Sequence, residues 1–178
     1  MFAVIRQFAR LLTGQAHAFE IGLGVFFGVL LALVPSRSVD EGSGLIGFNA
    51  LWLVLLFLFL ALRASLPVGL LALGLLELCE SLFLGRLNSG LGRMLLEDVL
   101  PESFVIGLAR GWPSAQLHTW WGCGGLVGGL LLGVALAIPL HLWITRRLPT
   151  WREKYGQSRI TRAVSGAWYV RVLGFWLG

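Results

Sequence analysis

Uncharged apolar runs separated by short polar breaks set the pattern of this chain. The clearest lies within residues 42–62, where LWLVLLFLFLAL closes a stretch without a single charge. It predicts a membrane segment over 45–62, since a helix needs about 20 apolar residues to cross a bilayer. Arg63-Ala64-Ser65 breaks the run. Ser65 is placed to cap a second segment over 66–84, with Pro67 in its first turn, where a missing N–H costs little. So short a connection predicts an antiparallel hairpin. Upstream, the uncharged stretch from Ile21 to Ser36 is short against that requirement. A segment over 18–35 either crosses fully or re-enters. A fourth segment, 120–143, opens on Trp120 and Trp121 and closes on Trp143. From 121 to 143 a helix rises about 33 Å, which sets an aromatic belt at each face of a ~30 Å hydrocarbon layer.

Between and beyond these runs the period changes. Residues 2–14 predict an interfacial helix, with Val4, Phe8, Leu11 and Leu12 on one side and Arg6 and Arg10 on another. Residues 36–44, SRSVDEGSG, predict a polar turn. In the 86–117 region Leu87, Leu91, Leu95 and Val99 recur every four residues beside Arg93, Glu97 and Asp98, as in a surface-lying amphipathic helix that Pro101 ends. The basic tail, 146–178, repeats Ile160, Val164, Trp168, Val172 and Trp176 at the same step and predicts another interfacial helix. The first apolar run is read as retained, because Leu33-Val34-Pro35 makes a poor signal-cleavage site.

Composition strengthens the membrane reading. Of 178 residues, 57% are hydrophobic and 13% charged, against about 25% charged in soluble domains. A small soluble domain could not hide that much apolar surface. The net charge is +5, and its concentration in the tail points to anionic lipid headgroups, through Arg146, Arg147, Arg152 and Lys154, in place of nucleic acid. With four segments, 10 of the 14 lysines and arginines fall on one side, so the positive-inside bias puts both ends of the chain in the cytoplasm and 86–117 in the periplasm. Cys79 and Cys123 stand alone in apolar stretches and form no metal or redox motif.

Three sets of residues are candidates for function. Gly24 and Gly28, and Gly125, Gly129 and Gly133, recur at i, i+4, the spacing that lets helix backbones approach closely in lipid. They serve packing within the chain or against a partner or second copy. Glu77 and Glu80 share a helix face inside an apolar segment, where an acid costs about 2.5–3.5 kcal/mol on insertion scales. Arg63, Arg86 and His141 are the partners considered for them, and Glu20 joins the polar membrane site if it is drawn into the bundle. The alternative is that both acids sit solvated near the outer headgroups. His17, His118 and His141 are scattered and read as interface histidines. No nucleophile motif, phosphate loop or metal spacing is present, which argues against an enzyme and against a bound cofactor.

The segment EIGLGVFFGVLLALVP at residues 20–35 resembles the small-x-Gly-xxx-Gly…Pro signature of a small bacterial inner-membrane family of unknown function, in which Gly24, Gly28 and Pro35 match. The resemblance continues through the 45–84 hairpin, the Pro139-Leu140 span end and SRITRAVSG in the tail. It implies a gene often paired with one for a much larger periplasmic protein of the AsmA-like, lipid-bridging kind. Ala64-Ser65 stands where the family pattern leads one to expect an asparagine after the second span. Together these readings predict an all-α polytopic membrane protein with about four membrane segments. The function expected first is a non-enzymatic inner-membrane component of a cell-envelope complex, with lipid transport implied, that anchors or feeds a larger periplasmic or membrane protein. The other expectation is a stand-alone small transporter or channel that uses the intramembrane glutamates.

Overall fold

A computed structural model describes residues 17–38, 46–62 and 64–155, with side chains as far as Arg147. The described residues are helical apart from turns and one isolated antiparallel bridge, Arg37 to Phe48. The helices are α1 (Ala18–Leu33), α2 (Ala50–Ala61), α3 (Leu66–Cys79), α4 (Gly85–Met94), α5 (Glu102–Gly111) and α6 (Trp120–Tyr155). Two π-turns, Glu80–Leu84 and Leu95–Val99, make one continuous helix of Leu66–Val99. The helix predicted over 2–14 lies outside the described residues, as does the tail beyond Tyr155.

Helix α1 is the centre of the bundle. Gly22, Gly24 and every residue from Phe27 to Leu33 are buried. Its neighbours reach it through glycine. Gly24 lies against the Ser65 backbone, and Gly28 against Gly69 and Ala72, so α1 and α3 run side by side in one direction. Gly125 lies against Leu33, Gly129 against Leu30 and Gly133 against Phe26, so α6 runs antiparallel to α1. Helix α2 returns between the ends of α1: Asn49 N–H donates to Ser36 O at 3.0 Å, and Ser65 N–H to Glu20 O at 2.8 Å. The four segments therefore alternate in direction. The glycines singled out in the sequence are occupied by the chain's own helices.

The contacts also force a bend in the long helix. Gly69 and Asn88 are separated by a helical rise of about 28 Å if the helix is straight. Yet Gly69 packs on Gly28, and Asn88 hydrogen-bonds Leu33, two positions on α1 only about 8 Å apart. A straight helix cannot reach both. The bend falls at the first π-turn, where Gly85 N–H bonds back to Glu80 O, a register change that kinks helices.

Several expectations change. The segment predicted to end at 84 continues through this π-turn to Val99, because no proline or polar turn stops it. Pro139 does not end α6, which runs on to Tyr155. Ser65 occupies the cap position of α3 but its hydroxyl makes no cap hydrogen bond. The predicted α2–α3 hairpin is splayed: α3 packs mainly on α1, and the Phe59 ring reaches across to Gly69. The stretch 87–99 is read from sequence as a surface-lying amphipathic helix, but it belongs to the long helix and packs through its small and polar face. Gly85, Asn88, Gly92 and Leu96 are buried, while Leu87 and Val99 are exposed. Surface-lying geometry belongs instead to α5, none of whose residues is buried.

Candidate functional site

The C-terminal end of α1 carries the densest polar chemistry in the bundle. The last four carbonyls of any helix lack an internal partner. Here Trp52 on α2 donates its indole N–H to Leu31 O at 2.9 Å, and Asn88 on α4 donates its amide to Leu33 O at 3.0 Å. Both donors arrive from other helices, which meets the need of a buried carbonyl for a partner. Gly124 and Gly125 let α6 lie directly on the backbones of Asn88 and Leu33.

The turn beyond α1 is fastened at the same level. Asn49 caps α2 through its Oδ1, which accepts from Leu51 N–H at 2.9 Å. Gln116 is fully buried with a left-handed backbone (φ 55°), and its amide donates to the Ser38 hydroxyl at 2.8 Å. Thr119 caps α6, accepting from Gly122 N–H at 3.0 Å. Arg93 pairs with Glu97 at 3.0 Å and stands over the Trp120 ring; this is the one ion pair among the described residues.

Glu77 and Glu80 stand beside this fastened end. Glu77 is exposed and Glu80 half-buried. The two acids are shared by two adjoining recesses. One, of about 470 Å³, is lined by Ser81, Leu82, Phe83, Gly85, Arg86 and Trp121 with the acids. The other, of about 330 Å³, adds Arg37, Ser36, Ser38 and the end of α1. The Asn88 amide also faces the Glu80 carboxylate across the inside of the bend. Of the basic partners considered, Arg86 is thus brought to the acids, Arg63 lies outside the described residues, and Arg37 joins from the turn. His141 is not: it lies against Gly22 at the opposite end of α1. Glu20 is there too, its carbonyl bonded to Ser65 N–H, so it does not join Glu77 and Glu80. That end carries a separate apolar recess of about 360 Å³ around Phe19, Phe26, Ile138 and His141.

Arg146 and Arg147 are exposed near the end of the described side chains; those of Arg152 and Lys154 lie outside them. No group of three or more His, Cys, Asp or Glu that could hold a metal occurs among the described residues. Trp52, Asn88 and Gln116 were not legible as site residues, although Asn88 flanked by Gly85 and Gly92 on one helix face is the kind of signal that could have marked it.

Fold and recess together define an all-helical bundle with two helices, Leu66–Val99 and Trp120–Arg147, long and apolar enough to cross a membrane. Helices Ala18–Leu33 and Ala50–Ala61 are apolar but shorter. The chain matches no protein-family model, and neither a curated protein nor a solved structure matches it.

Proposed function

We propose that the chain is a multi-pass protein of the bacterial inner membrane and a non-enzymatic component of a cell-envelope complex, serving lipid transport by anchoring or feeding a larger periplasmic partner. The observation that carries the membrane part is the inverted distribution of side chains. Asn49, Asn88, Gln116 and the packing glycines are buried, while Phe57, Leu71, Leu75, Leu78, Leu131 and Ile138 are exposed. In water that arrangement would waste apolar burial; in hydrocarbon the exposed apolar side chains meet an apolar solvent and the buried polar ones meet protein.

Four crossings follow in this reading even though α1 and α2 are short. Helix α1 is surrounded by protein and need not match the lipid thickness, and the turn after it is held by protein donors, the condition under which irregular backbone is tolerated at membrane depth. Both ends of the chain then lie in the cytoplasm, and the C-terminal end of α1 and α5 face the periplasm. The resemblance at Gly24, Gly28 and Pro35 supplies the partner: a large periplasmic protein of the lipid-bridging kind. Crosslinking at native expression followed by purification in mild detergent should recover a stoichiometric partner. Recovery of the chain alone would remove the complex from this reading.

A second reading is favoured by Glu77 and Glu80 lining a recess, namely a stand-alone transporter or channel. Purified protein in liposomes would then move ions, protons or lipid, and Glu77→Gln would slow the flux.

A further inference from the structure

Charges of both signs line the recess at the bend, and they are not spent on one another. Glu77 and Glu80 are shared by both cavities, Arg86 lines one and Arg37 the other, yet none of the four forms an ion pair within the described residues. Two acids with two guanidinium groups place both signs of charge in the site. Such a site suits a ligand that itself carries one positive and one negative group. The ammonium end belongs at the carboxylates and the anionic end at a guanidinium, which binds phosphate oxygens in a bidentate fork. A cation alone would leave the arginines unanswered, and an anion alone would face the carboxylates.

The walls add a second requirement. Leu82 and Phe83 line the larger cavity and are 78% and 56% exposed, and Leu78 beside them is 65% exposed. Trp121 closes the other wall, at the level where an indole sits in an aromatic belt. The recess is therefore polar inside and continuous with an apolar outer face. At about 470 and 330 Å³ its two parts fall within the ~300–1,000 Å³ of small-ligand sites. A phospholipid satisfies both demands, with its headgroup in the recess and its acyl chains along Leu78, Leu82 and Phe83.

We propose that the recess formed by Glu77, Glu80, Arg86 and Arg37 binds the headgroup of a phospholipid carrying a primary ammonium beside its phosphodiester, that is, a phosphoethanolamine headgroup. A primary ammonium has three donors for the two carboxylates, whereas a quaternary one has none. The site thus separates ethanolamine from choline by hydrogen bonding, and from glycerol by charge. This rests on the membrane reading above and adds the identity of the lipid.

The test uses the full-length protein in detergent, titrated with short-chain phosphatidylethanolamine, phosphatidylcholine and phosphatidylglycerol and read by native mass spectrometry. Ethanolamine adducts should form about tenfold more tightly than either other lipid. The double variant Glu77→Gln, Glu80→Gln should bind ethanolamine and choline lipids alike. Arg86→Gln, a change at an exposed side chain that leaves the packing untouched, should weaken ethanolamine lipid while the protein's thermal unfolding stays in place. Equal binding of the three lipids by the unaltered protein overturns the proposal. So does competition by soluble glycerophosphoethanolamine as effective as that by the lipid, which would make the ligand a soluble one. Flotation of the protein with phosphatidylcholine vesicles separates the two levels. Failure to float sinks the membrane reading itself, whereas flotation without headgroup preference sinks only the assignment of the lipid.

Discussion

Gly92 shows how single residues set this fold. A Cβ there would meet the Trp120 carbonyl carbon at 2.7 Å and Gly124 N at 2.9 Å. These are backbone atoms that cannot swing aside, so Gly92→Ala should cost about 1–3 kcal/mol through overpacking. Gly74, also helical, has open space around the same position, and Gly74→Ala should be neutral or stabilise by up to about 1 kcal/mol. Unfolding of detergent-solubilised protein by added sodium dodecyl sulfate would rank the two; equal losses would contradict the packing described. Asn88 works by a different mechanism. It is 5% exposed, and Asn88→Ala would strand the Leu33 carbonyl in an apolar setting. The expected loss in the same assay is about 1–3 kcal/mol, with exposed Leu87→Ala on the same helix as the control that should move least.

At the scale of elements, the first π-turn turns a straight rod into an elbow that embraces α1. Deleting the exposed Leu82 should restore ordinary helical register and straighten the element. The helix could then keep Gly69 on Gly28 or Asn88 on Leu33, not both. The deletion should destabilise at least as much as Asn88→Ala, and adding Asn88→Ala to it should cost little more, a non-additivity readable in a double-mutant cycle. The sequence made the apolar segments and their polar breaks legible, since long runs such as LWLVLLFLFLAL admit few other readings. It hid the elbow, because a π-turn has no compositional signature in ESLFL. It did not show which residues of α4 would pack. The leucines every four residues drew the eye, but the small and polar Gly85, Asn88 and Gly92 are the buried ones, the residues that allow close helix approach. The acids at 77 and 80 were visible as an expense needing a partner. That Arg37 would come to them depended on the turn after α1, which no local pattern foretells.

For the whole molecule, the alternating direction of four segments makes a labelling prediction. In a background with Cys79 and Cys123 replaced, Ile46→Cys lies in the turn at one end of the bundle, where Ile46 is 98% exposed. Arg147→Cys lies toward the other end, on an exposed stretch of α6. A membrane-impermeant maleimide added to intact spheroplasts should modify the first and reach the second only after permeabilisation. Labelling of both from outside would break the topology proposed. The borrowed cap at the end of α1 has a further consequence for biogenesis. Leu31 finds its donor, Trp52, as soon as the next helix emerges from the ribosome, but Leu33 must wait for Asn88, fifty-five positions later in synthesis. In the topology proposed above, the α1–α2 pair therefore inserts with one carbonyl still open, and its final seating is delayed until α4 has been made. A nascent chain halted before that point should remain a loose, protease-sensitive hairpin, so α1, made before the other described helices, is among the last of them to settle.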